Sequence, residues 1–485
     1  MGELKREQIS LIPVPKNVSG VDERIVIENH IVCDKEEWND LINVFCKSFQ
    51  KINDVEFTEG MGGIQIIFDE QLWQEEYRIE VDTEVKLYAS SYEGASYGIA
   101  TLLQLLDKDC TIPKLCIEDY PDKDYRGLMV DVARKWHPFG TLLHYVDLCF
   151  MLKIKYLHLH FSDDQSFTLP SAAFPKLSDE GKSYTKQEIK ILWEYAKQRG
   201  IVLIPEIEMP GHAKILNKRY PEVFANQLTE GDYHKTITEN GDAIGAESIL
   251  CAGSEKTFSA VQTLLNEVME LFPETPYIHL GGDEANYHAW DACSVCQQYI
   301  KDHGLKNSKE LYADFIRRIT DYVLRCGKTP IVWEGFADEE SHMISKDVVV
   351  ISWENHYQNT YDLIKNGFKV INCAWQPLYV VGGIYENERY HFEDILDWNV
   401  YEWQHWWKES EAFLNPIRVQ PTEQALGAQI CVWGLTYERE IAKTVENLAA
   451  LSERSWSVLR ICDKYQFQDK AYKILDKIFL LIAEE

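Results

Sequence analysis

Two carboxylates stand side by side at Asp283 and Glu284, in the stretch HLGGDEA, directly after two glycines. Like charges in one site oppose joint ionisation, so one of the two acquires a raised pKa. A carboxyl so raised is a proton donor near neutral pH. Its ionised neighbour can face developing positive charge or hold an N–H. The glycines let backbone and substrate approach closely. Taken alone, the pair reads equally as a solvated loop start, because GGDE by itself is not specific.

Other residues with chemical capacity sit where short apolar runs end. Asp163 in HFSDDQSF and His212 in EMPGHA can pair as carboxylate and imidazole and tune an acid; a histidine after Pro-Gly also reads as a turn residue. Arg134 in DVARKWHP offers a fork of N–H donors for paired hydroxyls, and an ordinary salt bridge is the alternative. Trp333, Trp353 and Trp433, with Tyr379 nearby, present flat faces suited to the C–H faces of sugars and small acyl groups. Singly each tryptophan reads as a core plug; three at equivalent strand ends read as a shared wall. His158, His160 and His279 lie inside apolar runs and are expected in the core. CSVC (Cys293 to Cys296) is a lone CxxC, with His288 before it and His303 after. Without a second CxxC no metal is assigned to it. Walker and HExxH motifs are absent from the sequence, and no cofactor is expected.

Such scattered positions need a frame that gathers strand ends. From Tyr125 onward, apolar β-branched runs alternate with helical spacing: YRGLMVDVA, KYLHLHF, IVLIPEIEM, YIHLGG, PIVWEG, VVVISWE, FKVINCA and AQICVWG. Eight such units predict a (β/α)₈ TIM barrel, whose active site lies at the C-terminal ends of its strands. An open doubly wound sheet is the alternative. Ahead of it, residues 1–121 read as a small α/β domain. There GIQIIF and YRIEVDTEVKLYA have strand character, and KEEWNDLINVFCKSF and EGASYGIATLLQLLDK have helical spacing. The polar, proline-marked EDYPDKDY divides this domain from the barrel domain, 122–485. TVENLAALSERSWSVLRI is expected as the last barrel helix, with DKAYKILDKIFLLIAEE packed outside it. The tryptophan-rich DWNVYEWQHWWKE is expected as an amphipathic helix on the barrel, with additional subsites the alternative.

The 485 residues carry 49 basic and 78 acidic side chains, a net charge of −29. Such a field repels nucleic acid and anionic lipid, so neither is an expected partner. The N-terminal MGELKREQISLIPVP has no apolar signal core, and no apolar run is long enough to span a bilayer. Twelve thinly spread cysteines are unlike a disulfide scaffold, and a reducing, cytoplasmic setting is expected.

In this order, LIPVPKNV, EEYRIEV, GASYGIATLLQLL, IEDYPDKDYRGLMVDVAR, LHLHFSDDQSF, PEIEMPGH, HLGGDEA and GAQICVWG resemble glycoside hydrolase family 20, the β-N-acetylhexosaminidases. The resemblance implies a small α/β domain before a (β/α)₈ barrel. It implies that Glu284 is the general acid/base and that Asp283 orients the substrate's 2-acetamido group. Tyr379 would hydrogen-bond the acetamide carbonyl, and Trp333, Trp353 and Trp433 would cage its methyl and the sugar face. Arg134 would hold ring hydroxyls, while Asp163 and His212 support the acid. The implied mechanism is substrate-assisted: the acetamide oxygen attacks C1, and water opens the oxazolinium ion with retention. The expected substrate is an oligosaccharide or glycoconjugate ending in β-linked GlcNAc, or GalNAc. Leu435 stands where many members place an acid, and Val381 where some place a polar contact, with Glu438 or Glu440 as possible substitutes. These departures motivate sibling specificities, a 6-sulfo-GlcNAc glycosidase or a lacto-N-biosidase. A non-catalytic sugar-binding barrel and a metal-dependent barrel hydrolase are the rivals of other classes.

Overall fold

Parallel strands buried on both faces require unbroken apolar runs, and the chain supplies eight. In the computed structural model, which describes residues 6–228, 236–237, 243–382 and 390–483, these form β1 (Tyr125–Asp131), β2 (Tyr156–His160), β3 (Val202–Glu206), β4 (Tyr277–His279), β5 (Thr329–Trp333), β6 (Val349–Ser352), β7 (Lys369–Asn372) and β8 (Ala425–Trp433). Sequential neighbours pair in parallel, and β8 pairs with both β7 and β1, closing a barrel rather than an open sheet. The register sets Asp131 opposite His160, His160 opposite Glu206, and Glu206 opposite His279. One ring of polar residues therefore lies at a common height near the strand ends.

The helices between strands follow the same sequence logic. Lys186–Lys197 starts on a capping box, in which Thr185 and Glu188 satisfy each other's backbone N–H groups and hold the entry to the helix. Its buried Ile189, Leu192 and Ala196 form one stripe facing the barrel.

Ahead of the barrel lies a seven-stranded mixed sheet with helices Asn39–Asn53 and Tyr92–Leu105. YRIEVDTEVKLYA is not one strand but a hairpin. Tyr77–Val81 and Val85–Ala89 pair antiparallel, and the polar Asp82, Thr83 and Glu84 turn the chain, with Asp82 N–H bonded to the Glu84 carbonyl. The last barrel helix is Tyr437–Trp456. The following helix, Lys464–Ile482, packs outside the barrel against Asn39–Asn53 and Phe139–Met151, so it touches both domains.

The tryptophan-rich segment is not a helix. After a short helix, Phe392–Asp397, the chain runs irregularly with a two-residue strand, Glu402–Trp403, paired to Ile417–Arg418. Its backbone is captured by tertiary partners instead. Asn372 donates to the carbonyls of Val400 and Glu402 at 3.0 and 2.9 Å, and Trp403 Nε1 donates to the Ser352 carbonyl. A helix would have kept those carbonyls for itself.

Candidate active site

Strand β4 ends at His279, and the next residues turn sharply. Gly281 and Gly282 have φ of +70° and +112°, and Glu284 itself has φ of +45°. At Gly281 the glycine is obligatory twice over: φ is left-handed, and a Cβ would lie 2.0 Å from Glu208 Oε2. Tyr312 donates its hydroxyl hydrogen to the Gly282 carbonyl and pins the turn from below. Asp283 and Glu284 thus emerge at the barrel mouth only 8% and 9% exposed. They are not a solvated loop start. Burial pushes the Asp283 carboxyl up to about 6; Glu284 and Glu206 add to the rise, and His212 opposes it.

Cationic groups absent from the neighbouring sequence arrive from other strands. His212 follows β3 in a left-handed turn, φ +47°, so its reading as a turn residue holds, and the turn brings it to the carboxylate pair. Its Nε2 lies 3.0 Å from Glu284 Oε2 and 3.7 Å from Asp283, while Nδ1 lies 3.5 Å from Asp163. Although burial pulls the other way, Asp163, Glu284 and Asp283 hold the imidazole well above its usual range. Asp163 in turn is held well below the carboxylate range, against its burial, by Arg134 and His212. Arg134 pairs with Asp163 at 2.7 Å and lies over the Trp433 ring, 4.7 Å from its centroid. A continuous chain runs Arg134–Asp163–His212–Glu284.

Beneath it lies a layer that periodicity alone assigns to the core. His158, His160 and His279 are fully buried, yet all three turn to Glu206. His158 Nε2 is 3.0 Å, His160 Nδ1 2.5 Å and His279 Nδ1 2.7 Å from its carboxylate, and Trp333 Nε1 donates to it at 2.6 Å. His160 also reaches Asp163 at 2.9 Å. Next to this layer, Glu208 is fully buried; burial, then Asp283 and Glu206, raise its pKa far above the ordinary value. Glu206 and Glu208 lie in PEIEMPGH and His160 in LHLHFSDDQSF, but no role is assigned to them there. Their signal is charge placed inside an otherwise apolar strand, which is rare without a partner.

The aromatic residues converge as a wall. Trp333 lies 6.2 Å from Trp353 and 5.9 Å from Trp433, and Trp353 stacks on Tyr379 at 6.1 Å. Trp375, not singled out by sequence, stacks on Tyr379 at 4.4 Å, and Trp406 packs edge-on against Trp375. The tryptophan-rich loop therefore packs against the wall through Trp406. Trp433 Nε1 is buried with no hydrogen-bond partner.

Val381 and Leu435 line the rim as apolar side chains, Leu435 buried against Gly382. Glu440 does not reach this rim. It is buried beside His137 at 3.6 Å and accepts the Tyr145 hydroxyl. Imidazole and carboxylate atoms in four sets lie close enough to share an ion, including His212 with Asp283 and Glu284. A cavity of about 500 Å³, lined by Tyr125, Tyr156, Tyr277 and Lys369, lies at the opposite, N-terminal end of the barrel and holds none of these residues.

A barrel with a buried carboxylate pair, an imidazole relay and an aromatic wall at its strand ends has the layout of a hydrolase site for a carbohydrate. Comparison with known proteins sharpens that class. The family model described as "Glycosyl hydrolase family 20, catalytic domain" matches residues 124–458, and that for the family's domain 2 matches residues 8–120. The chain belongs to glycosyl hydrolase family 20. A beta-hexosaminidase of Porphyromonas gingivalis is 29% identical over 378 residues, 71% of this chain and 47% of that protein. The beta-hexosaminidase subunit beta of Entamoeba histolytica is 29% identical over 423 residues, 82% of this chain and 71% of that protein. The chain thus spans about half the length of the P. gingivalis relative. Among solved structures, the exo beta-N-acetylglucosaminidase of Vibrio harveyi in complex with N-acetylglucosamine superposes with a TM-score of 0.83. It is 22% identical, with 99% of this chain and 78% of that chain covered. The beta-N-acetylhexosaminidase of Bacteroides fragilis gives a TM-score of 0.77 at 24% identity, with 95% and 94% covered.

Proposed function

We propose that this protein is an exo-acting, retaining β-N-acetylhexosaminidase that removes terminal β-linked GlcNAc by substrate-assisted catalysis. The observation that carries the reading is the division of labour between adjacent carboxylates. Glu284 is joined through His212 to Asp163, a route by which its proton can be held and returned, as a general acid/base requires. Asp283 leaves the same turn but stands farther from the imidazole, 3.7 Å from His212 Nε2 against 3.0 Å for Glu284, and its charge acts on the buried Glu208. It suits the role of holding an acetamide N–H and facing the positive charge that develops as the acetamide oxygen attacks C1.

Three other carboxylates of the mouth, Asp131, Asp163 and Glu206, are already engaged. Asp131 accepts the backbone N–H groups of Ala133, Arg134 and Gly434. Asp163 binds Arg134 and His160, and Glu206 binds three imidazoles. Their engagement favours a reading without the second protein carboxylate that ordinary retaining glycosidases use. The nucleophile then arrives on the substrate. Trp333, Trp353 and Trp433 form the wall for the sugar face and acetamide methyl. Tyr379 bonds the acetamide carbonyl, and Arg134 holds ring hydroxyls. The apolar Val381 and Leu435 leave the O6 side without a charged grip. Twelve free cysteines support a reducing, cytoplasmic setting.

The test is a panel of aryl β-glycosides of GlcNAc, GalNAc, 6-sulfo-GlcNAc and glucose, with a GlcNAc-thiazoline inhibitor. Fast release from GlcNAc, none from glucose and tight thiazoline inhibition are expected. Binding of GlcNAc without release from any member would make the protein a sugar-binding barrel instead. Preference for the sulfated member would reassign the Val381–Leu435 side.

A further inference from the structure

The CxxC left without a role by its sequence acquires a third cysteine in space. Cys251 lies in the loop between β3 and helix Glu255–Leu271. Cys293 caps the helix Ser294–His303, and Cys296 sits in that helix's first turn. Cys251 Sγ is 3.7 Å from Cys293 Sγ and 3.7 Å from Cys296 Sγ, and all three sulfurs lie within 4.8 Å of one another. No pair is at bonding distance. Zinc–thiolate bonds of 2.3 Å in a tetrahedron place sulfurs about 3.8 Å apart, which is the spacing seen. All three cysteines are free and buried.

The cluster has an oxygen beside it and a close-packed loop. Asn226 Oδ1 stands 3.8 Å from Cys296 Sγ, an oxygen at the edge of the same cluster. Gly253 has its own part: a Cβ there would come within 2.7 Å of Cys296 Cα, so only glycine lets the Cys251 loop close on the helix. A redox CxxC needs an accessible thiolate, and burial of all three sulfurs argues against one. His288 and His303, the histidines flanking the CxxC, are elsewhere. His288 pairs with Asp291, and His303 stacks on Tyr299.

We infer that Cys251, Cys293 and Cys296 form a structural site for one tetrahedral zinc ion, with three thiolate ligands and an oxygen in the fourth position. Binding releases the three thiol protons to solvent and forms three Zn–S bonds, with no change of oxidation state. The ion ties the loop after β3, downstream of His212, to the helix that follows the Asp283–Glu284 turn. Trp290 Nε1, which donates to the Leu250 carbonyl at 2.8 Å, spans the same two segments. The site therefore braces two catalytic loops from outside the chemistry and is independent of the substrate.

The experiment measures metal in the full chain purified under reducing conditions without chelator, then Co²⁺ uptake after zinc removal. About one zinc per chain is expected, falling below about a tenth in Cys251→Ser and Cys293→Ser. Cys326→Ser, at an exposed cysteine elsewhere, keeps it. Tetrahedral thiolate-to-Co²⁺ charge-transfer bands in the refilled wild type support the site even if a variant fails to fold. Wild-type protein that contains no zinc and, fully reduced, shows no such bands with Co²⁺ overturns it. So does a disulfide among the three that re-forms in preference to metal binding. Full metal content in both serine variants also overturns it.

Discussion

At the scale of single residues, Asp283 and Glu284 differ less in chemistry than in company. Asp283 sits folded with its pKa near 6, raised chiefly by burial, against about 3.9 in an unfolded chain. Between those values the folded protein keeps a proton that the unfolded chain has released. The group's contribution to stability therefore falls as pH rises from about 4 to 6 and stays low above that window. Asp283→Asn removes the buried charge. Unfolding free energy at pH 7 is expected to rise by roughly 1–3 kcal/mol, while turnover drops about 10²-fold or more. Denaturant titrations at pH 4.5 and 7, beside kcat, check both; an asparagine variant less stable at pH 7 would show that the ionised form is favoured in the fold. Glu284→Gln is expected to slow substrates with poor leaving groups far more than activated aryl glycosides, because the lost proton matters least where the aglycone leaves unaided. Equal losses on both substrates would remove Glu284 from the acid's role.

At the scale of elements, the turn after β4 sets the geometry. Gly281→Ala must hold a left-handed φ and displace Glu208. A cost of about 2 kcal/mol or more follows from strain and overlap, with kcat falling more than stability because both carboxylates move together. Thermal unfolding and GlcNAc-glycoside kinetics measured on one preparation check this; an unchanged kcat would mean that the turn does not position the pair. The eight barrel strands were legible because strands covered on both faces must be apolar throughout, and Asp163, His212, Asp283 and the tryptophans were legible because they terminate those runs. Glu206 and its three histidines were not, since a charge neutralised inside a strand leaves only the strand's apolar periodicity visible. Helical spacing misled at Trp398–Trp407, where Asn372 competes for the backbone carbonyls and the Ser352 carbonyl takes the Trp403 indole N–H. Cys251 was invisible as a partner of Cys293 because no spacing rule spans 42 residues.

At the scale of the whole molecule, the α/β domain is not a loosely tethered appendage. Asp119, the last residue of its sheet, is fully buried where the two domains meet. It accepts from Lys16 N–H at 3.0 Å and Tyr77 hydroxyl at 2.6 Å on its own side. From the barrel side it accepts from Trp456 Nε1 at 2.8 Å and Lys153 Nζ at 3.4 Å. Gln104 bridges the same boundary, donating to the carbonyls of Ile12 and Met151. A buried ion pair of this kind contributes little net stability against apolar replacements, but breaking one half strands the other charge. Asp119→Ala is therefore expected to cost about 3–5 kcal/mol, leaving Lys153 without its carboxylate, while kcat of the folded enzyme stays within about twofold because no catalytic group is touched. Asp119→Leu combined with Lys153→Met is expected to recover a large part of that loss. Urea unfolding followed by fluorescence at the two domains' tryptophans reads the outcome. One shared transition in wild type and the double variant, with a lowered midpoint in Asp119→Ala, shows that the domains fold as one unit through this contact. Two separate transitions in wild type would show instead that the boundary transmits no stability, and that the barrel carries its site alone.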